Sequence, residues 1–228
     1  MGASVGDAEL TTLRSDSLTP AMRQGVFELF HRSYRNANDD YLERSLQALA
    51  AIAIARAPDG ELVGFAVGAS RRLDVPRLGN RTVGLAGIAC VDPRWRRRGL
   101  FSALATTPLL DGSAKTGDER LAAGRVAHPA SYRSFGLPSA VPRPGLALTA
   151  WHKEVGVVVA AAYGAHDFDA EHFVCIGDGA GPGEPIVDIE GVTDAERELF
   201  EYVDRRRGDA LLVIGWFPSA PQGWLESG

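Results

Sequence analysis

Met22, Val26, Leu29 and Phe30 recur at three- and four-residue spacing and form one apolar stripe. That spacing predicts an amphipathic helix. Thr19 is placed to cap it, and Pro20 sits at its first position, where a missing N–H costs nothing. The helix should run to about Tyr34. NANDD (36–40) breaks the pattern, and Leu42, Leu46 and Leu49 mark a second helical stripe. AIAIAR (51–56) and LVGFAVGAS (62–70) then read as two strands joined by the Asp-Gly turn of PDGE (58–61). TVGLAGIACV (82–91) reads as a strand buried on both faces. A helix is expected from about Arg98 to Leu110, a polar loop over 111–119, a strand at RLAAGRVA (120–127), a short helix within HPASYRSFG (128–136) and a strand at GLALTAW (145–151).

The tail continues with two expected strands, VGVVVAAA (155–162) and EHFVCIG (171–177), and a loop, DGAGPGEP (178–185). Thr193 and Glu196 form a capping box that opens a helix reaching Arg207, and Gly208 ends it. ALLVIGWF (210–217) is a final strand, whose edge could pair between subunits. Trp216 and Trp224 are read as core or interface residues. The order α-α-β-β-β-α-β-α-β predicts a mixed α/β sheet flanked by helices.

Composition changes this picture little. The chain has 228 residues, 45% hydrophobic and 23% charged, which is ordinary globular content. No run approaches the ~18 apolar residues of a membrane span, and the start carries no secretory pattern. The setting expected is therefore cytoplasmic, without a membrane partner. Cys90 and Cys175 lie in apolar strand-like runs and are read as buried free thiols. No Cys/His spacing suggests a metal site, so no metal is expected.

Charge is more informative. Residues 1–154 hold 20 Lys+Arg and 15 Asp+Glu, a net of +5, whereas 155–228 hold 4 and 14, a net of −10. A globally basic nucleic-acid binder is disfavoured. The acidic tail is suited to fold back on the basic front or to face a cationic substrate.

The densest positive charge lies in VDPRWRRRGL (91–100), between a buried strand and a helix. The first amides of a helix lack backbone partners and sit at the positive end of its dipole, so they attract anions. Gly99 allows close approach of a ligand, and arginines add charge-assisted hydrogen bonds. A diphosphate suits such a loop. Neither a Walker lysine nor a GxGxxG fingerprint is present.

This strand–VDP–RRRG–helix block resembles the acyl-CoA motif of the GCN5-related N-acetyltransferases (the GNAT superfamily). Their loop reads Arg/Gln-x-x-Gly-x-Gly/Ala, matched here by Arg96 and Gly99, with Phe101 departing from the small residue. RRRGL and the later Tyr132-Arg133-Ser134-Phe135-Gly136 are similar to the first domain of the enhanced-intracellular-survival type. The likeness covers roughly residues 10–151. It implies a GNAT-like catalytic domain over 1–152, with 153–228 as an acidic α/β C-terminal extension packed on the same domain or at a dimer interface, so a homodimer is one option.

The resemblance also implies chemistry. Acetyl-CoA, or another acyl-CoA, would be the co-substrate. Its pantetheine would pair with backbone near Ile88, Cys90 and Val91, and its diphosphate would lie on Arg96, Arg97, Arg98, Gly99 and Leu100. A primary amine of a small molecule or peptide would attack the thioester directly. Tyr132 would protonate the departing thiolate, a task that a phenol with pKa ~10 can perform at neutral pH. His31, Asp39, Asp40, Glu43 and His128 are candidates to receive the amine's proton. Asp39, Asp40 and His128 are the expected acceptor contacts, against ordinary helix-capping roles for all three. The alternatives are a non-catalytic acyl-CoA-binding module and an O-acyltransferase on the same fold.

Overall fold

A computed structural model describes residues 3–107, 119–177, 179, 181–186 and 192–226. The expected end of a helix at Leu110, the loop over 111–118, and Asp178 and Ala180 of the tail loop lie outside the described residues. In chain order the elements are β1 (Ala3–Val5), β2 (Ala8–Arg14), α1 (Pro20–Ser33), β3 (Tyr34–Arg35), α2 (Asp39–Ala48), β4 (Ala51–Arg56), β5 (Leu62–Val75), β6 (Gly79–Val91) and α3 (Leu100–Thr106). There follow β7 (Arg120–Val126), α4 (Pro129–Phe135), α5 (Ala150–Ala162), β8 (Asp167–Asp169), β9 (Val174–Ile176), β10 (Glu184–Pro185), α6 (Asp194–Glu198) and β11 (Ala210–Phe217). No helix among the described residues is long and apolar enough to cross a membrane.

The chain forms two compact units, and β5 and β6 contribute one part to each. Both units are α/β, the class that the apolar pattern predicts. The first comprises Met1–Ser70, Ala86–Asp111 and Pro182–Val187. Its strands lie in the order β1-β2-β4-β5-β6. β1 and β2 were not foreseen, because only Ala8 and Leu10 of β2 are buried and the strand carries little apolar signal. Thr19 caps α1 by accepting from the Met22 amide, and Val26, Leu29 and Phe30 are fully buried. The Asp-Gly turn closes as expected, with Gly60 at φ +88 and its amide donating to Ala57. Leu100 and Leu104 of α3 enter a core with Leu10, Ala53, Ala55, Val63, Ala66 and Val91. Gly64 makes room for them, since a Cβ there would lie 2.5 Å from a Leu104 methyl.

The second unit comprises Arg71–Leu85, Gly112–Gly181 and Asp188–Gly228. Its later strands run β7-β11-β9-β8. β11 pairs antiparallel with β7 from Leu211 to Phe217 and with β9 at Ala210 and Leu211. The final strand therefore has neighbours on both sides and is not the open edge that the sequence suggested.

Four expectations from residue 145 onward need correction. GLALTAW and VGVVVAAA are not strands. Within the first only an isolated bridge between Arg143 and Leu146 forms, and α5 begins at Ala150. A continuous apolar run does not by itself separate a strand from a buried helix. Here Trp151, His152, Val155, Gly156, Val159 and Ala160 are buried at helical period. The start signal is a capping box in which His152 stands where Glu or Gln is usual: its Nδ1 accepts from the Thr149 amide while Thr149 accepts from His152. Gly156 permits the fit, since a Cβ would lie within 3 Å of the Phe168 and Phe173 rings. The expected division after residue 152 falls inside this helix. EHFVCIG is a strand only over Val174–Ile176.

The helix opened by Thr193 and Glu196 stops at Glu198 rather than Arg207. Beyond it the amides of Phe200, Glu201 and Val203 bond three residues back, and the Asp204 amide turns to Asp209. Arg207 is drawn to Asp209 as well, instead of serving a helix end.

Candidate active site

The arginine segment divides its charges among different tasks. The buried Asp92 carboxylate caps the turn after β6, accepting from the Arg94 amide at 3.0 Å and from Arg94 Nε at 3.0 Å. Arg94 also reaches Glu61 at 2.6 Å. The Arg94 side chain, with Arg32 nearby, holds the Asp92 carboxyl below the usual carboxylate range against the effect of burial. The Arg96 guanidinium bonds two backbone carbonyls, Val91 at 3.2 Å through Nε and Ile186 at 2.7 Å through Nη1. Arg97 and Arg98 are exposed. The Arg98 guanidinium lies over the Trp95 ring, 4.8 Å from its centroid.

Two left-handed residues shape the turn, Arg97 at φ +63 and Gly99 at φ +76. The first hydrogen bond of α3 runs from the Ala103 amide to the Gly99 carbonyl. The amides of Leu100, Phe101 and Ser102 thus have no acceptor within the helix. Phe101, the departure from the motif, packs against the same core as Leu100 and Leu104. Its bulk is accommodated there.

Ile88, Cys90 and Val91 at the end of β6 are all buried. Burial pushes the Cys90 thiol up to about 12, so it is a neutral packing group rather than a nucleophile. Both Cys90 and Cys175 are free thiols.

In the same unit, Pro20, Arg23, Gln24, Phe27, Asp39, Asp40 and Glu43 line an open hollow of about 480 Å³. Asp39 and Asp40 are not caps. Asn38 is the cap, accepting from the Tyr41 amide, and the two aspartates occupy the first turn of α2. Asp39 bonds His31 at 2.5 Å, and Glu43 pairs with Arg23.

His128 and Tyr132 belong to the second unit. His128 caps α4, its Nδ1 accepting from the Ala130 amide at 3.2 Å. Burial, then Arg205, lowers its pKa, so the ring stays neutral at pH 7. Tyr132 is half-buried, and its hydroxyl donates to the Pro142 carbonyl at 3.1 Å. Its ring meets Phe200 edge-on at 6.4 Å. Burial raises the phenol pKa, and the nearby Glu196 adds to the effect. Glu196 itself is held to about 2, first by two hydrogen bonds from Arg133, at 2.7 and 2.8 Å.

The contacts of Arg96 with Ile186 and of Tyr132 with Phe200 had no sequence signal, because the partners are 90 and 68 residues apart. The Asp92 cap was readable, since an Asp-Pro pair starts turns.

No protein-family model and no curated protein matches the chain. Solved structures similar to it include the GNAT family N-acetyltransferase YhbS from Escherichia coli in complex with CoA, at 20% identity, covering 59% of this chain and 69% of that one, with a TM-score of 0.41. Eis1 from Mycobacterium abscessus is 24% identical over 57% of this chain and 30% of its own, with a TM-score of 0.40. An aminoglycoside acetyltransferase from an uncultured soil metagenomic sample, in complex with sisomicin, is 16% identical over 44% of this chain and 66% of its own, with a TM-score of 0.31. The solved chains similar to this one thus include a GNAT family N-acetyltransferase and an aminoglycoside acetyltransferase.

Proposed function

We propose that this protein is an acyl-CoA N-acyltransferase that moves an acetyl group from acetyl-CoA to a primary amine. The observation that carries this reading is the turn after β6. α3 starts directly after left-handed Arg97 and Gly99, and its first three amides, which as first-turn groups have no helical acceptors, lie beside two exposed arginine side chains. That is the donor set a diphosphate needs. In this reading Arg96–Leu100 form the diphosphate loop, and the backbone at Ile88, Cys90 and Val91 pairs with the pantetheine arm. The amine nitrogen bonds to the thioester carbon and loses a proton, the carbon–sulfur bond breaks, and Tyr132 gives its proton to the thiolate. A cationic acceptor suits the hollow bearing Asp39, Asp40 and Glu43. His128 serves as the cap of α4.

Residues 1–152 carry every assigned group. The extension from 153 supports Tyr132 through Phe200. A cytoplasmic setting agrees with two thiols left unpaired.

Thermal unfolding with acetyl-CoA or CoA tests the loop. Ligand at 100 times its dissociation constant should stabilise the wild type by about 2.7 kcal/mol. The double variant Arg97→Glu/Arg98→Glu should show no shift. An unshifted wild type would reject the acyltransferase reading.

A further inference from the structure

The sequence motif assigns Arg96 to the diphosphate, but its hydrogen bonds point elsewhere. Its two hydrogen bonds among the described residues go to main-chain carbonyls. One, on Val91, is the last residue of β6. The other, on Ile186, lies in a tail segment 90 residues away. A guanidinium carries its donors in a rigid fork, so it can tie two chain segments together in one geometry.

The tail segment is itself fitted to the connection between α1 and α2. The Ile186 amide donates to the Ser33 carbonyl at 2.8 Å, and the Asn38 amide donates to the Pro182 carbonyl at 3.2 Å. Between them Glu184 and Pro185 pair antiparallel with Arg35 and Tyr34. Gly183 makes the fit possible. It sits at φ +109, and a Cβ there would lie 2.7 Å from the Arg35 carbonyl oxygen and 2.8 Å from that of Asn36. Carbonyl oxygens cannot swing aside as a side chain can, so any side chain at 183 opposes docking.

We propose that Arg96 is a positioning residue, and that residues 182–186 form a strap whose docking on residues 33–38 sets the diphosphate loop through it. The proposal rests on the acyl-CoA reading of the loop. Phosphate contact then falls to Arg97, Arg98 and the α3 amides. The strap touches at one end the segment that leads into Asp39 and Asp40, and at the other the brace of the loop. Binding at either end that favours the docked strap must favour binding at the other, because such coupling is reciprocal. An undocked strap lowers the fraction of competent loop and weakens apparent affinity in proportion.

The test is calorimetric titration of CoA into wild type, Arg96→Lys, Gly183→Ala and the double variant, at low and high salt. Lysine keeps the charge but cannot span two carbonyls. A positioning role predicts that Arg96→Lys and Gly183→Ala each weaken CoA binding on the order of 10-fold, within the usual range of coupling between sites. The double variant should be no weaker than either single one, and the salt dependence should be unchanged. Direct phosphate contact predicts near-normal binding by Arg96→Lys and no effect of Gly183→Ala, and that result overturns the proposal.

Amide hydrogen exchange on the wild type gives a second readout if Gly183→Ala does not fold. CoA should slow exchange at the Ile186 and Asn38 amides, and no change at either overturns the strap. A wild type that fails to bind CoA rejects the acyl-CoA reading along with the strap. Binding that is lost in Arg97→Glu/Arg98→Glu but indifferent to Arg96→Lys and Gly183→Ala rejects the strap alone.

Discussion

Tyr132→Phe is expected to lower kcat for amine acetylation by about 10²–10⁴-fold, the range contributed by a positioned proton donor. KM for acetyl-CoA should change little, because the phenol touches the leaving sulfur only as charge develops on it. The substitution is clean. The ring keeps its edge contact with Phe200, and only the hydroxyl and its bond to Pro142 are lost. One hydrogen bond is worth about 1 kcal/mol of stability, too little to unfold the chain. The hydroxyl hydrogen rotates about its C–O bond, so an oxygen that now donates to Pro142 can also serve a thiolate. Burial, and then Glu196, raises the phenol pKa above its ordinary value of 10.0. Titration of Tyr132 should therefore leave kcat nearly undiminished up to about pH 9, a unit below the ordinary phenol value. Release of free CoA thiol under saturating acetyl-CoA and a panel of primary amines measures this. A kcat within 3-fold of wild type would mean that the thiolate's proton comes from another group.

Asp209→Ala should cause the largest loss of stability, about 3 kcal/mol. For a chain of this length that is roughly 6–12 °C in Tm. The Asp209 carboxylate is fully buried and accepts four hydrogen bonds. Gly177 donates at 2.8 Å and the Asp204 amide at 3.1 Å, while Arg207 donates at 2.8 and 2.6 Å. Removing it leaves two amides without their acceptor, whereas the half-exposed Arg207 can return to water. That exposure is why the expected loss lies at the low end for a broken buried pair.

The same carboxylate has a pH signature. Burial alone would raise its pKa, but the Arg207 side chain and the two amides outweigh burial and hold it below the ordinary 3.8. A group depressed in the folded state contributes stability that is fully present above its unfolded value. That contribution is lost as pH falls through the folded value. The gap between wild type and Asp209→Ala should thus be full at pH 7 and shrink below about pH 4. Thermal unfolding at pH 7 and pH 3 checks it, and equal midpoints at pH 7 would remove Asp209 as the anchor of the 204–209 turn.

What could be read from the chain alone was what neighbours a few residues apart decide. Thr19 with Pro20, the Asp59-Gly60 turn, and Thr193 with Glu196 each act within four residues, and each is found where expected. The left-handed Gly99 between a buried strand and a helix is of the same kind, so the candidate diphosphate loop was visible without coordinates. The continuous apolar run of β11 was long enough to identify as a strand, although not as one paired on both sides.

The rest was decided by residues far apart in the chain. The run 155–162 carries no preference strong enough to choose between strand and helix. The choice fell to a histidine in a capping role and to the two aromatic rings that Gly156 admits. The 193–207 helix stops early because Asp209, buried just before β11, draws in the Asp204 amide and Arg207. The Arg96 side chain carries the same charge as Arg97, yet a carbonyl 90 residues away commits it to the backbone. Sequence proximity sets caps and turns because the groups that satisfy them are covalently near. Which distant carbonyl or carboxylate meets a long polar side chain is settled only when packing brings the segments together.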